Sequence, residues 1–166
     1  MYATKWLGPS EADGHALTSA YWGAFTAGRV AAAAAAAALS PATLLLASMP
    51  LALAGAAGAL ALPPAALAGA PATAAVVLVG LGVSTGFANL LALLEAYSPI
   101  NGSVTGLLSG FAGAGTMLMP LAIALLAKAT PLGYSGLMWT TLASMLLQFV
   151  CLAPIMAGAG ARMRAA

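Results

Sequence analysis

The sequence predicts an all-α membrane protein, a bundle of five spanning helices, and three observations predict it. The chain of 166 residues is 63% hydrophobic and 5% charged, too little polar surface for water to be its only solvent. Its apolar residues fall into runs of about 20, the length of a bilayer-crossing helix. Those runs are separated by Pro, Gly and Ser at the points where a helix has to stop.

The first fifteen residues are polar, with Lys5, Glu11, Asp13 and His15, and hold no apolar run of the kind a cleaved signal peptide carries. The first span is expected over 16–39. It contains Arg29, beyond which no Asp, Glu, Lys or Arg occurs until Glu95, and it ends in eight alanines, Ala31 to Ala38, which favour helix but are weakly apolar. Ser40-Pro41 breaks it. The second span, 42–62, carries Pro50 as a kink site; Pro63, Pro64 and Pro71 then bracket a linker. The third span, 73–97, holds Gly80, Gly82, Ser84, Thr85, Gly86 and Asn89, with Glu95 near its end. Thr85 and Asn89 share a face at i, i+4, whereas Glu95 points roughly 120° away from Asn89.

Ser98-Pro99-Ile100-Asn101-Gly102 reads as a turn before the fourth span, 103–127. Gly102, Gly106 and Gly110, with Gly113 behind them, form a glycine ladder where another helix backbone can approach, for fixed packing or for sliding. Lys128 to Gly136 forms a loop, and the fifth span, 137–157, contains Gln148 and Cys151 ahead of a tail, 158–166, with Arg162 and Arg164. Five spans put the two ends of the chain on opposite sides. The arginines of the tail mark its side as cytoplasmic, and Trp6, Tyr97, Tyr134 and Trp139 fall near the interfaces. Asn101-Gly102-Ser103 fits a glycosylation sequon but faces the cytoplasm in this topology.

The chemistry available is sparse. One His, one Cys and three scattered acids supply no nucleophile with its base, no carboxylate pair and no metal set, so no enzyme, cofactor or metal is expected. The net charge of +2 gives no argument for nucleic acid. Arg29 is the residue that demands explanation, because a guanidinium at membrane depth needs a partner or a wet cavity. Either it pairs with Glu95 across the first and third spans or it snorkels to the headgroups; Glu95 either takes part or ends its helix in water. Tyr21, Trp22, Thr26, Thr85 and Asn89 are the expected solute-binding residues, since aromatic, hydroxyl and amide groups suit a sugar; packing and interhelical hydrogen bonding are the competing roles.

Three stretches resemble the C-terminal half of a major facilitator superfamily transporter, in the branch with sodium-dependent glucose transporter-like and fucose permease-like proteins. LTSAYWGAFTAGRV (17–30) looks like that branch's eighth helix, and GLGVSTGFANLLALLEAYSPINGSVTGLLSGFAGAGTMLMPLAIALLAK (80–128) like its tenth and eleventh. PLGYSGLMWTTLASMLLQFVCLAP (131–154) fits the twelfth more loosely. The resemblance implies a partial bundle of about helices eight to twelve, rocking around a midplane site that carries a small polar solute such as a sugar. It also implies that a partner chain or second copy supplies the missing half. The alternative is a non-transporting membrane assembly subunit or a degenerate truncated copy.

Overall fold

The computed structural model describes residues 11–61, 69–95, 99–129 and 136–165, helical except for short connections. The helices are α1 (Glu11–Ala35), α2 (Pro41–Ala61), α3 (Ala70–Val83), α4 (Gly86–Glu95), α5 (Gly102–Ala129) and α6 (Gly136–Ala165). The fold is all-α, as the composition requires. Most of the proline linker, Ser98, Lys5, Trp6, Tyr97 and Tyr134 lie outside the described residues.

Helix α1 starts at Glu11, inside the segment expected to be polar and separate. Asp13 suits the first turn of a helix, where the peptide dipole favours negative charge. It stops at Ala35, and Ala36 to Leu39 form turns closed by bonds from Ala38 N and Leu39 N to the Ala35 carbonyl, each 2.9 Å. Alanine propensity therefore yields to the coming Ser40-Pro41. Pro41 begins α2, and Ser40 caps it: Thr43 N donates to Ser40 Oγ at 3.2 Å. At the start of α3 the turn needs Gly69, whose φ of 71° is unfavourable for other residues; its carbonyl takes both Thr73 N and Thr73 Oγ1 at 3.1 Å. Asn101 Oδ1 caps α5 by accepting from Val104 N at 3.0 Å. The helices α5 and α6 run through Lys128 and through Arg162 and Arg164, residues expected in a loop and a tail.

The third apolar stretch is one span in length but two helices in structure, interrupted at Ser84-Thr85. Among the described residues three stretches are long and apolar enough to cross a membrane, Pro41–Ala61, Ala70–Glu95 and Gly102–Leu126; a shorter apolar helical stretch is Met138–Leu152. At about 1.5 Å rise per residue, each of the three exceeds the roughly 30 Å of a hydrocarbon core. Helix α1 is not among them, because Arg29 and the polar residues of its first half, Glu11, Asp13, His15, Thr18 and Ser19, lower its mean hydropathy.

Packing is built on small residues. Helix α3 lies against both α1 and α2, and α2 also meets α4 and α6. At the α2–α3 contact a Cβ on Gly82 would fall on the backbone of Ala52, which is fully buried, and one on Gly55 would lie 2.6 Å from the Ala75 carbonyl. At the α1–α3 contact a Cβ on Gly80 would lie 2.7 Å from the Tyr21 carbonyl, and one on Gly28 would collide with Ser84 Oγ. Around this seam sit two apolar clusters, Leu45, Met49, Leu93 and Leu152, and Ala59, Ala75 and Met138.

The glycine ladder of α5 is different. Nothing lies within 4 Å of a Cβ built on Gly102, Gly106, Gly110 or Gly113, and no residue of the Gly102–Leu126 window is buried. Among the described residues the ladder packs on no helix of this chain; the close approaches occur instead at Gly28, Gly55, Gly80 and Gly82.

Gly82→Ala is expected to destabilise the bundle by about 1–3 kcal/mol, because backbone cannot yield as a flexible side chain does. Gly106→Ala meets open space and is expected to be neutral or to stabilise by up to about 1 kcal/mol through helix propensity. Reversible unfolding in detergent measures both; equal losses would contradict the packing described.

Candidate functional site: the helix break and Arg29

A break in an apolar helix exposes backbone groups that lipid cannot satisfy, so they must find partners in the protein. At Ser84-Thr85 two side chains bond to backbone carbonyls and a third ties the break to α2. Ser84 Oγ donates back to the Leu81 carbonyl at 2.7 Å. The Ser84 carbonyl accepts from Arg29 Nε of α1 at 3.2 Å. The Thr85 carbonyl starts α4 by accepting from Asn89 N at 3.1 Å. Thr85 Oγ1 donates to Ser48 Oγ of α2 at 3.0 Å, and Ser48 Oγ donates to the Leu45 carbonyl at 3.1 Å, so both buried hydroxyls have acceptors. The break is thus tied to α1 on one side and to α2 on the other.

Arg29 is clamped twice. Its Nε is on Ser84, and its guanidinium carbon stands 4.5 Å from the centre of the Phe25 ring, one turn back on α1. The contact follows from Gly28: without a side chain there, α1 comes close enough to Ser84 for the next residue to reach its carbonyl. Arg29 and Glu95 form no ion pair with each other. Glu95 is exposed at the end of α4, on an open cleft of about 350 Å³ lined by Ala88, Leu91, Ala92, Glu95, Ile100 and Thr105. The carbonyl at the break, nearer along the span than the carboxylate at its end, holds the arginine.

Of the expected solute-binding residues, Tyr21 is half-buried and stands edge-on to Trp22 with ring centres 5.3 Å apart; Phe25 completes the cluster at 5.5 Å from Trp22. Trp22 is 57% exposed, and Thr26, also exposed, donates to the Trp22 carbonyl at 2.9 Å. Thr85 is buried against Ser48, and Asn89 is half-buried one turn into α4. The cleft beside Glu95 includes none of these five. Two residues gain a role that their sequence positions did not disclose, Ser48 as the acceptor for Thr85 and Ser84 as the acceptor for Arg29. The signal for Ser48 was a hydroxyl in the apolar middle of its helix, a polar group that needs a partner once buried.

No protein-family model matches the chain, and no solved structure does. A curated protein does. Over 120 residues, 72% of this chain, the sequence is 30% identical to sodium-dependent glucose transporter 1 of Danio rerio. The aligned part is 20% of that protein, so the chain spans about a fifth of the length of the curated relative it matches. With its apolar helices, this similarity fits a transporter-like membrane protein.

Ser48→Ala is expected to cost more than Thr85→Val, because it leaves a buried Thr85 donor without its present acceptor, whereas the valine leaves Ser48 still bonded to Leu45. The double mutant should show a coupling of about 0.6 kcal/mol, up to roughly 1.7, as interhelical hydrogen bonds in membranes do. A thermodynamic cycle in detergent measures it, and strict additivity would exclude the bond.

Proposed function

We propose that this chain forms part of a multi-pass bundle that moves a small polar solute, a sugar being the best class, across a membrane. In this reading its helices correspond to about the eighth to twelfth of a major facilitator secondary transporter. The observation that carries it is the 30% identity over 120 residues to a sodium-dependent glucose transporter. The break at Ser84-Thr85 supports it, since transporter solute sites are typically built on discontinuous helices. Solute contact is assigned to Tyr21, Trp22, Thr26, Thr85 and Asn89, with Thr85 and Asn89 at the break and the aromatic residues on α1. Arg29 and Glu95 are assigned to gating, with Arg29 on the break in the conformation seen and free to meet Glu95 in another. The missing half of the cavity comes from a partner chain or a second copy.

The alternative of a non-transporting assembly subunit is favoured by one observation, the uncovered glycine ladder of α5, a surface suited to a neighbouring helix. An enzyme finds no support in either the similarity or the residues present.

Reconstitution into liposomes with radiolabelled glucose tests the proposal. Saturable uptake above protein-free vesicles is expected, reduced at least about tenfold by Asn89→Ala if that amide meets the sugar through hydrogen bonds worth roughly 1.5 kcal/mol. Uptake indistinguishable from empty vesicles, with the protein folded and inserted, would favour the assembly subunit.

A further inference from the structure

The polar side chains that line the cleft beside Glu95 are acceptors only. Ala88, Leu91, Ala92 and Glu95 follow one another at the i, i+3, i+4, i+7 spacing of a single stripe on α4, and Ile100 and Thr105 complete the lining from the start of α5 and the connection before it. Four of these are apolar, and the exposed Glu95 carboxylate offers two acceptor oxygens. Thr105 Oγ1 donates its proton to the Asn101 carbonyl at 3.2 Å, so it has only lone pairs left to give. Two backbone donors of the first turn of α5 are taken as well: Asn101 Oδ1 accepts from Val104 N at 3.0 Å and the Asn101 carbonyl from Thr105 N at 3.1 Å. The end of α4 adds the negative pole of its peptide dipole. No Lys, Arg or His lines the cleft, whose volume of about 350 Å³ suits a small ligand.

We propose that this cleft binds a small organic cation, a primary ammonium group on a short apolar body. The ammonium meets Glu95 and Thr105 Oγ1, and the apolar body lies against Ala88, Leu91, Ala92 and Ile100. An ammonium carries three donors and no acceptor, which matches a lining that accepts and does not donate. A metal cation would leave the apolar walls unused, and an anion would meet the carboxylate and no donor side chain. Glu95 closes the apolar stretch Ala70–Glu95, so the site stands at the edge of that stretch, where a cation arrives from water. The inference goes beyond the transport reading and does not rest on it, since the cleft can be occupied in a chain that moves no solute.

Ligand-observed NMR titration of the full chain in deuterated zwitterionic micelles, with protein-free micelles subtracted, measures binding of methyl-, ethyl-, propyl- and butylammonium. Affinity is expected to rise about two- to fourfold per added methylene, as each covers more of the apolar wall. Glu95→Gln should weaken butylammonium about fivefold, the effect of one partly hydrated ion pair. Should that variant fail to fold, Ala92→Phe, which fills the cleft and keeps the carboxylate, is expected to remove the gain from methyl to butyl. The same group occurs on the headgroup of phosphatidylethanolamine, and adding that lipid to phosphatidylcholine nanodiscs should leave butylammonium binding unchanged. Equal affinity along the series, butylammonium binding untouched by Glu95→Gln, a chain-length gain that survives Ala92→Phe, or displacement by phosphatidylethanolamine would each overturn the proposal.

Discussion

The close approach of α3 to its neighbours governs everything else in this structure. At Gly82 the backbone of α3 rests on Ala52 of α2, and at Gly80 and Gly28 it rests on α1, distances that any side chain would prevent. In lipid there is little hydrophobic gain from joining two apolar helices, so contact area and hydrogen bonds decide which faces meet. Glycine and alanine supply the contact area here, and they bring backbones near enough for side chains of one helix to serve the carbonyls of another.

That nearness makes the break at Ser84-Thr85 tolerable. An interruption in an isolated apolar helix would leave polar backbone in hydrocarbon, at a cost of several kcal/mol per group. In this chain Arg29 reaches the Ser84 carbonyl only because Gly28 lets α1 close in, and Thr85 reaches Ser48 only because Gly82 lets α2 do the same. The charge and the break each supply what the other lacks: a donor for a carbonyl, and an acceptor for a guanidinium with no carboxylate beside it among the described residues.

Helix α5 shows the limit of a motif. Its glycines repeat at the spacing that suits helix pairing, yet no helix of the described chain lies on them, while glycines without such a ladder, Gly28 and Gly82, carry the tightest contacts. The repeat states that a backbone could be approached, and the identity of the approaching surface depends on the rest of the bundle.

The sequence by itself determined the class. Apolar runs of spanning length, punctuated by Ser40-Pro41, Pro71 and Asn101, fix helices and their approximate starts, since capping and proline chemistry act within a few residues. It also singled out Arg29 and Thr85, because a charge or hydroxyl amid apolar neighbours is visible without a fold. What only the tertiary structure decided was their partners. Thr85 lies 37 residues from Ser48 and Arg29 lies 55 from Ser84, separations over which no local rule operates. Charge complementarity pointed Arg29 at Glu95, but geometry gave it a carbonyl. The break that offers this carbonyl is itself invisible to hydropathy, which reads 70–95 as one uninterrupted apolar stretch.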